Sequence, residues 1–423
     1  MRKRLLSVIM VLALIIAMAP AAFAAEVETF DTWDGTITTP EKTGNVYQID
    51  SAEDFMGFAA LVNGNEPDAD ALLLTGIDLN NASFTPMGDY SEPYTGTFDG
   101  GDHTIKNVSI TGSEDVILVG LFGCVSGGIV KNLVLDNVDV VGNSYASAGE
   151  NSQQAASGTA IGALIGAGTI ENVRNTASCS VSGKYRTGGI VGSTKDTGTT
   201  VKNCTNNATV TGERNYTGGI VGAAHNVVSI FHTTGTTIDT CTNNGAVNGS
   251  TEVGGIAGYT DQAYVYNCTN AASVTGTGNY GTGGIVGCDI MNLRAIFALD
   301  GSTIEGCTNS GAVTAPRAGG ILGSYVAAPG DDTPSYDVES TISDCKNYGA
   351  ISSPNGTGIC GSIYGAPISY KYGENQVEHM IVVITGCTVG GTVEGESVPS
   401  DPASFENFIS PSDCIDPSNN TAA

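Results

Sequence analysis

The chain has 423 residues, of which 58 are glycine and only 14% are charged, and its formal net charge is −27. This acidity argues against nucleic-acid binding and against docking on anionic membranes, because both need basic patches. It is compatible with divalent cations or with a basic partner. The few charges and many glycines are typical neither of an ordinary globular enzyme nor of a charge-rich disordered chain, and they favour many tight turns and few helices.

Residues 1–24 have the pattern of a secretory signal peptide. Residues 2–4 are basic, residues 5–18 are apolar, and residues 22–24 form a small-x-small cleavage site. The apolar run is too short for a membrane span, although a retained N-terminal anchor is the alternative. We therefore expect a secreted, extracellular chain without membrane insertion, either free or non-covalently associated with the cell surface.

A short amphipathic helix is predicted after Ser51, which is its expected N-cap. The acidic first turn suits the positive end of the helix dipole. The helix has one apolar stripe, formed by Phe55, Phe58, Ala59 and Val62. Because repeats follow it and their stack would leave an open end, we predict that residues 25–80 form an N-terminal cap that contains this helix.

A Gly-Gly-Ile-x-Gly element recurs along the chain and dominates its organisation. Looser copies begin at Gly120, Gly162 and Gly356. Each copy is followed by a second element, for example Val201-Lys202-Asn203-Cys204-Thr205-Asn206 and then Thr209-Val210-Thr211-Gly212. The regular copies of the first element span residues 188–192, 218–222, 254–258, 283–287 and 319–323.

Aligning the second elements gives columns of like residues at equal spacing. In each second element, isoleucine or valine is followed three residues later by cysteine. Asparagine lies two residues after the cysteine, and another β-branched residue follows it. The cysteine column holds Cys204, Cys241, Cys268, Cys307, Cys345 and Cys387. The asparagine column holds Asn175, Asn206, Asn243, Asn270, Asn309 and Asn347.

The columns indicate the architecture. Short β-branched runs between glycines are strands too brief to bury a face alone, whereas coils stacked about 4.8 Å apart bury like side chains on like. Stacked asparagine amides can hydrogen-bond along such an axis. The sequence therefore predicts an all-β fold, with a single parallel β-helix (a β-solenoid) over residues 81–395. Residues 396–423 are predicted to be a C-terminal cap or a tail.

The combination of Gly-Gly-Ile-Val-Gly with Asn-Cys-Thr-Asn-x-x-x-Val-x-Gly resembles the GLUG-motif repeats of bacterial secreted and surface proteins. The lead-in Thr97-Phe98-Asp99-Gly100-Gly101-Asp102-His103 is similar to the stretch that often precedes such repeats. The resemblance covers residues 45–395. It implies a right-handed β-helix in an exported, often adhesin-like protein, and it implies no catalytic residues.

The cysteines are expected to pack rather than to cross-link. Eleven cysteines in a secreted chain would ordinarily indicate disulfides. Six of them share one column in which earlier copies carry Leu133 and Val173, so cysteine replaces a small apolar residue there. Adjacent parallel positions rarely meet disulfide geometry, so we predict reduced, buried thiols, with a disulfide ladder as the alternative.

No cofactor, metal site or catalytic residue is predicted. Cys-x-x-Cys is absent and the four histidines are scattered, so no metal motif is present. Binding of Ca²⁺ would be supported only by the acidic composition. The alternative function is a polysaccharide lyase or hydrolase. Its carboxylates would be Glu171, Asp239 and Glu305, but Lys202 and Tyr266 fall between them and no two are adjacent. A lesser alternative is a structural or ice-binding solenoid, from the column Thr205, Thr242, Thr269, Thr308 and Thr388.

Function is expected where the repeats differ. Four copies carry long insertions, at residues 223–240, 288–306, 324–344 and 362–386, which enter the coil at one point and should project on one side. Exposed aromatic and methionine side chains favour recognition, although the insertions could instead extend strands and pack together. We predict an extracellular glycan or protein partner, bound by Phe231, His232, Met291, Ile296, Phe297, Tyr325, Tyr336, Tyr364, Tyr370 and Tyr372.

Overall fold

A computed structural model describes residues 28–142, 155–195, 198–224, 235–293, 301–329, 338–369, 371–372, 375–376, 380–397, 415–416 and 421–422. Over these residues the chain is a stack of coils joined by parallel strand pairs, with one helix near the N-terminal end. The predicted β-solenoid is therefore confirmed. The predicted signal peptide lies outside the described residues.

Each regular coil contributes strands to three sheets. In one coil, Thr200–Lys202, Thr205–Asn206 and Thr209–Gly212 belong to sheet 1, Asn215–Gly218 belongs to sheet 2, and Val221–Ala224 belongs to sheet 3. The next coil adds the same strands in parallel and in register. Like residues therefore stack on like, as the columns predicted.

The strands have the following bounds. Sheet 1 starts with Phe30–Thr32, Glu41–Thr43, Val46–Ile49, Asp70–Leu73, Gly76–Ser83, Thr97–Asp99, Thr104–Thr111 and Ile129–Val141. It continues with Thr169–Asn175, Ser180–Gly183, Thr200–Lys202, Thr205–Asn206, Thr209–Gly212, Thr237–Asp239, Thr242–Asn243, Val247–Gly249, Tyr264–Tyr266, Thr269–Asn270, Val274–Gly276, Thr303–Glu305, Thr308–Asn309, Val313–Thr314, Val338–Ser343, Lys346–Asn347, Ile351–Ser352, Met380–Thr385, Thr388–Val389, Thr392–Val393, Glu396–Ser397, Ile415–Asp416 and Thr421–Ala422. Sheet 2 consists of Leu118–Val119, Ala156–Ser157, Thr187–Gly188, Asn215–Gly218, Thr251–Gly254, Thr282–Gly283, Arg317–Gly319 and Ile359–Gly361. Sheet 3 consists of Phe122–Ser126, Ile161–Ile165, Val191–Lys195, Val221–Ala224, Ala257–Thr260, Val286–Leu293, Leu322–Pro329 and Tyr364–Ser369.

The cysteine column lies in the core. Its six side chains are all buried, and the ten cysteines in the described part of the chain are free thiols. Neighbouring coils are linked through sulfur, because the backbone N–H groups of Cys241 and Cys268 donate to the Sγ atoms of Cys268 and Cys307, each at 3.4 Å. Burial raises the pKa of the Cys204 thiol, which keeps it protonated and apolar. The alignment of the six cysteines in one column and their burial are therefore as the sequence predicted.

The asparagine column forms a buried amide ladder. Nδ2 of Asn206 donates to Oδ1 of Asn243 at 2.8 Å, and Asn243 donates in the same way to Asn270 at 2.8 Å. The ladder begins at Asn175 and continues to Asn347. Each amide also bonds nearby backbone, for example Asn243 Nδ2 to the Gly245 carbonyl at 3.0 Å. Every coil therefore satisfies its buried polar group through its neighbours.

The glycines of the repeat element let the backbones of neighbouring coils approach each other closely. A Cβ on Gly219 would lie 2.1 Å from the Gly255 carbonyl oxygen and 2.4 Å from Cγ of Asn243. A Cβ on Gly222 would lie 2.5 Å from the Gly192 carbonyl oxygen. No other residue fits these positions, so the motif records backbone packing and not chemistry.

The N-terminal region contains the predicted helix and also strands of the parallel stack. The helix spans Ala52–Val62, Ser51 Oγ accepts from Asp54 N at 3.2 Å, and Phe55 and Phe58 are buried in the core. Parallel stacking begins before residue 81, because Val46–Ile49 already pairs with Asp70–Leu73. These strands before residue 81 use the same parallel pairing as the repeats, although their sequence lacks the Gly-Gly-Ile-x-Gly element.

The described part of residues 396–423 stacks on the last coil. Ile415–Asp416 pairs in parallel with Val382–Val383, and Thr421–Ala422 pairs with Thr388–Val389. Of the two predictions for this segment, the described strands fit a cap better than a free tail, since they add a layer to sheet 1.

Candidate functional site

The long insertions all leave the solenoid at the carboxyl end of sheet 3. The strand register aligns Ala224 with Thr260, Thr260 with Asp289, and Asp289 with Tyr325. The chain returns at one column of sheet 1, where Ile304 is aligned with Ile342. The prediction that the insertions enter at one point of the coil is therefore confirmed, and this edge is called the insertion flank.

Three of the insertions begin by extending sheet 3. Val286–Leu293 and Leu322–Pro329 each have eight residues, whereas Val221–Ala224 has four. The two long strands stay paired to their ends, and Leu322–Pro329 also pairs with Tyr364–Ser369. The returning strands Val338–Ser343 and Met380–Thr385 are paired as well. Part of each insertion therefore extends strands, which was the alternative left open by the sequence.

The structure places only some of the predicted partner-binding residues. Tyr325 and Tyr364 are fully buried in the hydrophobic core, so they cannot meet a partner. For these two residues the prediction needs correction, because Tyr364 is in register with Leu322 of the repeat element and Tyr325 follows that element within the same buried strand of sheet 3. Met291 and Tyr372 lie on strands, the latter in a hairpin with Asn375–Gln376. Outside the described residues lie Phe231, His232, Ile296, Phe297, Tyr336 and Tyr370.

A buried polar cluster lies beneath the flank. Asp289 is 1% exposed and accepts hydrogen bonds from the hydroxyls of Thr260 at 2.8 Å, Ser302 at 2.6 Å and Ser340 at 2.5 Å. Burial raises the pKa of Asp289, although these hydroxyls act in the opposite direction. The cluster joins Thr260 and Asp289, on strands of sheet 3, to Ser302 and Ser340, where the chain returns to sheet 1. These contacts hold the base of the insertions in place. No sequence motif pointed to it.

A second group of polar side chains fills the corner between sheets 2 and 3. The rings of Tyr216 and Tyr259 lie 4.6 Å apart, and Glu252 is 3% exposed. Burial raises the pKa of Glu252 to about 7 and that of Tyr216 to about 12. Glu252 also has φ of +49°, a left-handed backbone conformation. This carboxyl group therefore titrates near neutrality.

The carboxylates considered for catalysis stack on the outer face of sheet 1. The register places Lys202 between Glu171 and Asp239, and Lys202 Nζ lies 3.1 Å from Glu171 Oε1. Tyr266 lies between Asp239 and Glu305. The interrupted series read from the sequence is therefore present in the structure, with Glu171 engaged in an ion pair.

No group of three or more histidine, cysteine, aspartate or glutamate side chains in the described ranges could hold a metal ion. Likewise, no helix within those ranges has the length and apolar character needed to cross a membrane.

Comparisons with known proteins give a partial relative and a structural neighbour. No family model matches the chain, so the GLUG likeness stays a resemblance. Over 184 residues, 39% of this chain, it is 34% identical to Halomucin from Haloquadratum walsbyi, and it spans 2% of that protein. The fold aligns over 92% of this chain and 87% of the other with a crystal structure of a provisionally named immunoglobulin A1 protease from Bacteroides ovatus, at a TM-score of 0.46 and 17% identity.

Proposed function

We propose that the chain is an exported, adhesin-like binding protein that recognises an extracellular glycan or protein through its insertion flank. The observation that carries the proposal is the set of extended strands Val286–Leu293, Leu322–Pro329 and Tyr364–Ser369. They depart from an otherwise periodic coil at a single edge, so this edge is where the molecule differs most from a plain stack. Binding sites concentrate in such departures from a rigid scaffold.

Preorganisation supports this role for the flank. Strand pairing and the Asp289 cluster fix the bases of the insertions, so less conformational entropy is lost when the insertions bind. The insertion sequences are rich in residues that interfaces favour, among them Phe231, Phe297 and Tyr370. Tyr372, in the hairpin of the last insertion, extends the same aromatic series.

The extracellular setting rests on two independent features. The first 24 residues have the signal-peptide pattern, and a stretch of the chain is similar to Halomucin. Both support a protein that acts outside the cell or at its surface.

Replacement of three aromatic residues of the insertions tests the proposal. The variant Phe231→Ala, Phe297→Ala, Tyr370→Ala should lose binding to whichever mucin, cell-wall glycan or serum protein the mature chain captures, while its circular dichroism stays unchanged. The matched control is Tyr280→Ala with Tyr348→Ala, since these rings are 39% and 47% exposed away from the flank. Undiminished binding by the triple variant would remove the flank from the proposal.

A binding role is preferred to polysaccharide cleavage, because the outer carboxylates alternate with Lys202 and Tyr266 and do not form an adjacent pair. Incubation of the mature chain with cell-wall and mucin glycans separates the two roles. Binding without release of oligosaccharides is expected. Release of oligosaccharides that stops in the variant Asp239→Asn with Glu305→Gln would instead establish an enzyme.

A further inference from the structure

A cleft of 420 Å³ lies at the N-terminal end of the solenoid, away from the insertion flank. It is enclosed by the last turn of the helix, by residues 85–92 and by residues 115–118. The volume suits one extended side chain and the backbone beside it. The proposed function does not involve this cleft, so a role for the cleft does not depend on the insertion flank.

The floor of the cleft is apolar. Val62 and Leu118 are buried, and Val116 and Ile117 are half-buried at the wall. Tyr90 is also half-buried and packs against the cluster that contains Leu118. These side chains give the cleft an apolar lining.

The rim of the cleft is acidic. Asp89, Glu92 and Asp115 line it and are exposed, and none of the lining residues is lysine, arginine or histidine. Because none of the residues that line the cleft is a cation, the negative potentials of these three carboxylates add. A cation that enters the cleft is therefore attracted from all three carboxylates.

The rim is held in a fixed shape. Asp89 Oδ1 accepts from the backbone N–H of Ser91 at 2.7 Å and of Glu92 at 2.9 Å. Asn63 joins the helix end to the rim, since its Nδ2 donates to the Pro86 carbonyl at 3.0 Å and its Oδ1 accepts from Gly88 N at 2.9 Å. The carboxylates are therefore positioned before any ligand arrives, which lowers the entropic cost of binding.

The spacing of the carboxylates favours an organic cation over a metal ion. Within the described ranges no three acidic, histidine or cysteine side chains converge closely enough to ligate a metal, and the three at this rim are included. A lysine or arginine side chain satisfies both parts of the cleft. Its methylene stem can lie on the apolar floor while its charged head meets the rim.

We propose that this cleft binds a basic side chain, lysine or arginine, from an extended segment of a partner protein. Charge complementarity with a chain of net charge −27 steers such a segment toward the surface, and the cleft supplies the specific contact. The site is separate from the glycan- or protein-binding flank and goes beyond that function.

A set of three labelled peptides tests the chemistry of the ligand. The first is a fluorescent nonapeptide of glycine and serine with three lysines; in the second, norleucine replaces lysine, and in the third, diaminopropionate does. Fluorescence anisotropy with the mature chain should show binding of the lysine peptide, with at least roughly tenfold weaker binding of both analogues. Equal binding of the diaminopropionate peptide at about pH 5, where its side-chain amine and that of lysine are both charged, would overturn the role of the floor, because that residue lacks the stem.

Variants locate the site. Asp89→Asn, Glu92→Gln and Asp115→Asn together should weaken lysine-peptide binding roughly tenfold or more, and the asparagine at 89 keeps the turn acceptor. The control Glu213→Gln, Glu305→Gln, Glu396→Gln changes the net charge equally at exposed positions elsewhere and should bind as the unaltered chain does.

Three results would contradict the proposal. Unchanged affinity in the rim variant would exclude the cleft, and equal loss in the control variant would show that only net charge matters. Binding of glucosamine oligomers without any binding of the lysine peptide would assign the cleft to an amino sugar instead of a protein partner.

Discussion

The regular coil of residues 200–224 and the coil that contains Val286–Leu293 share the same inner columns but differ at one edge. In both coils a β-branched residue, a cysteine and an asparagine point inward and stack on their counterparts. In the second coil, the strand of sheet 3 continues to eight residues before the chain turns back. Departure and return nevertheless occur at the same register positions as in the short coil Ala257–Thr260 to Tyr264–Tyr266.

The comparison shows that stability and variability are separated in this fold. The columns depend on contacts between adjacent coils, so a coil tolerates an insertion of almost any length provided that its columns stay aligned. Stability should therefore respond strongly to changes inside the columns and weakly to changes at the flank.

The largest effect is expected from Gly219→Ala in a regular coil. The added Cβ would lie 2.1 Å from the carbonyl oxygen of Gly255 in the next coil and 2.4 Å from Cγ of Asn243, so the neighbouring coil and the buried amide ladder would have to move. We expect a loss of more than about 4 kcal/mol in the free energy of unfolding, or failure to fold. Urea denaturation measures it, and the exposed Glu213→Ala in the same coil is the control, with a change within about 0.5 kcal/mol.

Asn243→Ala tests the amide ladder. It removes the acceptor of Asn206 and the donor to Asn270, both at 2.8 Å in a fully buried row. Leaving buried polar partners unsatisfied should cost roughly 3 kcal/mol in the free energy of unfolding. The matched control is Asn244→Ala, whose exposed amide donates only to Asn207, and it should cost less than about 1 kcal/mol. Equal costs for the two variants would contradict the ladder.

Glu252 should make stability depend on pH at the corner where regular and inserted coils meet. Its pKa is raised by burial from 4.5 to about 7, so between these values the folded chain retains a proton that the unfolded chain releases. The free energy of unfolding should therefore be highest below pH 4.5, fall by roughly 2–3 kcal/mol between pH 4.5 and 7, and then level off with respect to this group. In urea denaturation, Glu252→Gln should flatten that slope. An unaltered slope would assign the pH dependence to other groups.

The smallest effect is expected from Cys268→Ala. The thiol is buried and forms no disulfide, so the loss of one small apolar group should cost roughly 1–2 kcal/mol in the free energy of unfolding. Reducing agent should leave the melting temperature of the unaltered chain unchanged. A large drop on reduction would instead support the disulfide ladder that the sequence left as an alternative.

The sequence predicted the columns because each places one residue type at a fixed position in consecutive coils. The column from Cys204 to Cys387 and the asparagine ladder could be located for this reason, whereas the helix after Ser51 was located by its N-cap and its apolar stripe. Tyr325 could not be placed, because nothing in a single insertion marks how far its buried strand continues. Tyr364 could not be placed because serine replaces the second glycine in its copy of the repeat element, residues 361–365, so only the strand register aligns it with Leu322. The Asp289 cluster joins Thr260, Ser302 and Ser340 from different coils at irregular separations, so only the fold brings them together.

The most direct test of the separation between columns and flank is a shortened chain. Residues 289–302, 325–340 and 367–382 are each replaced by Thr-Asp-Gln-Ala, the short connector at 260–263 to which the register aligns them. We predict a cooperative unfolding transition and a β-rich circular dichroism spectrum like that of the full chain, together with loss of partner capture from the mucin, glycan and serum panel. Full retention of capture, or a chain that no longer folds, would contradict the claim that the columns hold the fold and the flank holds the recognition surface.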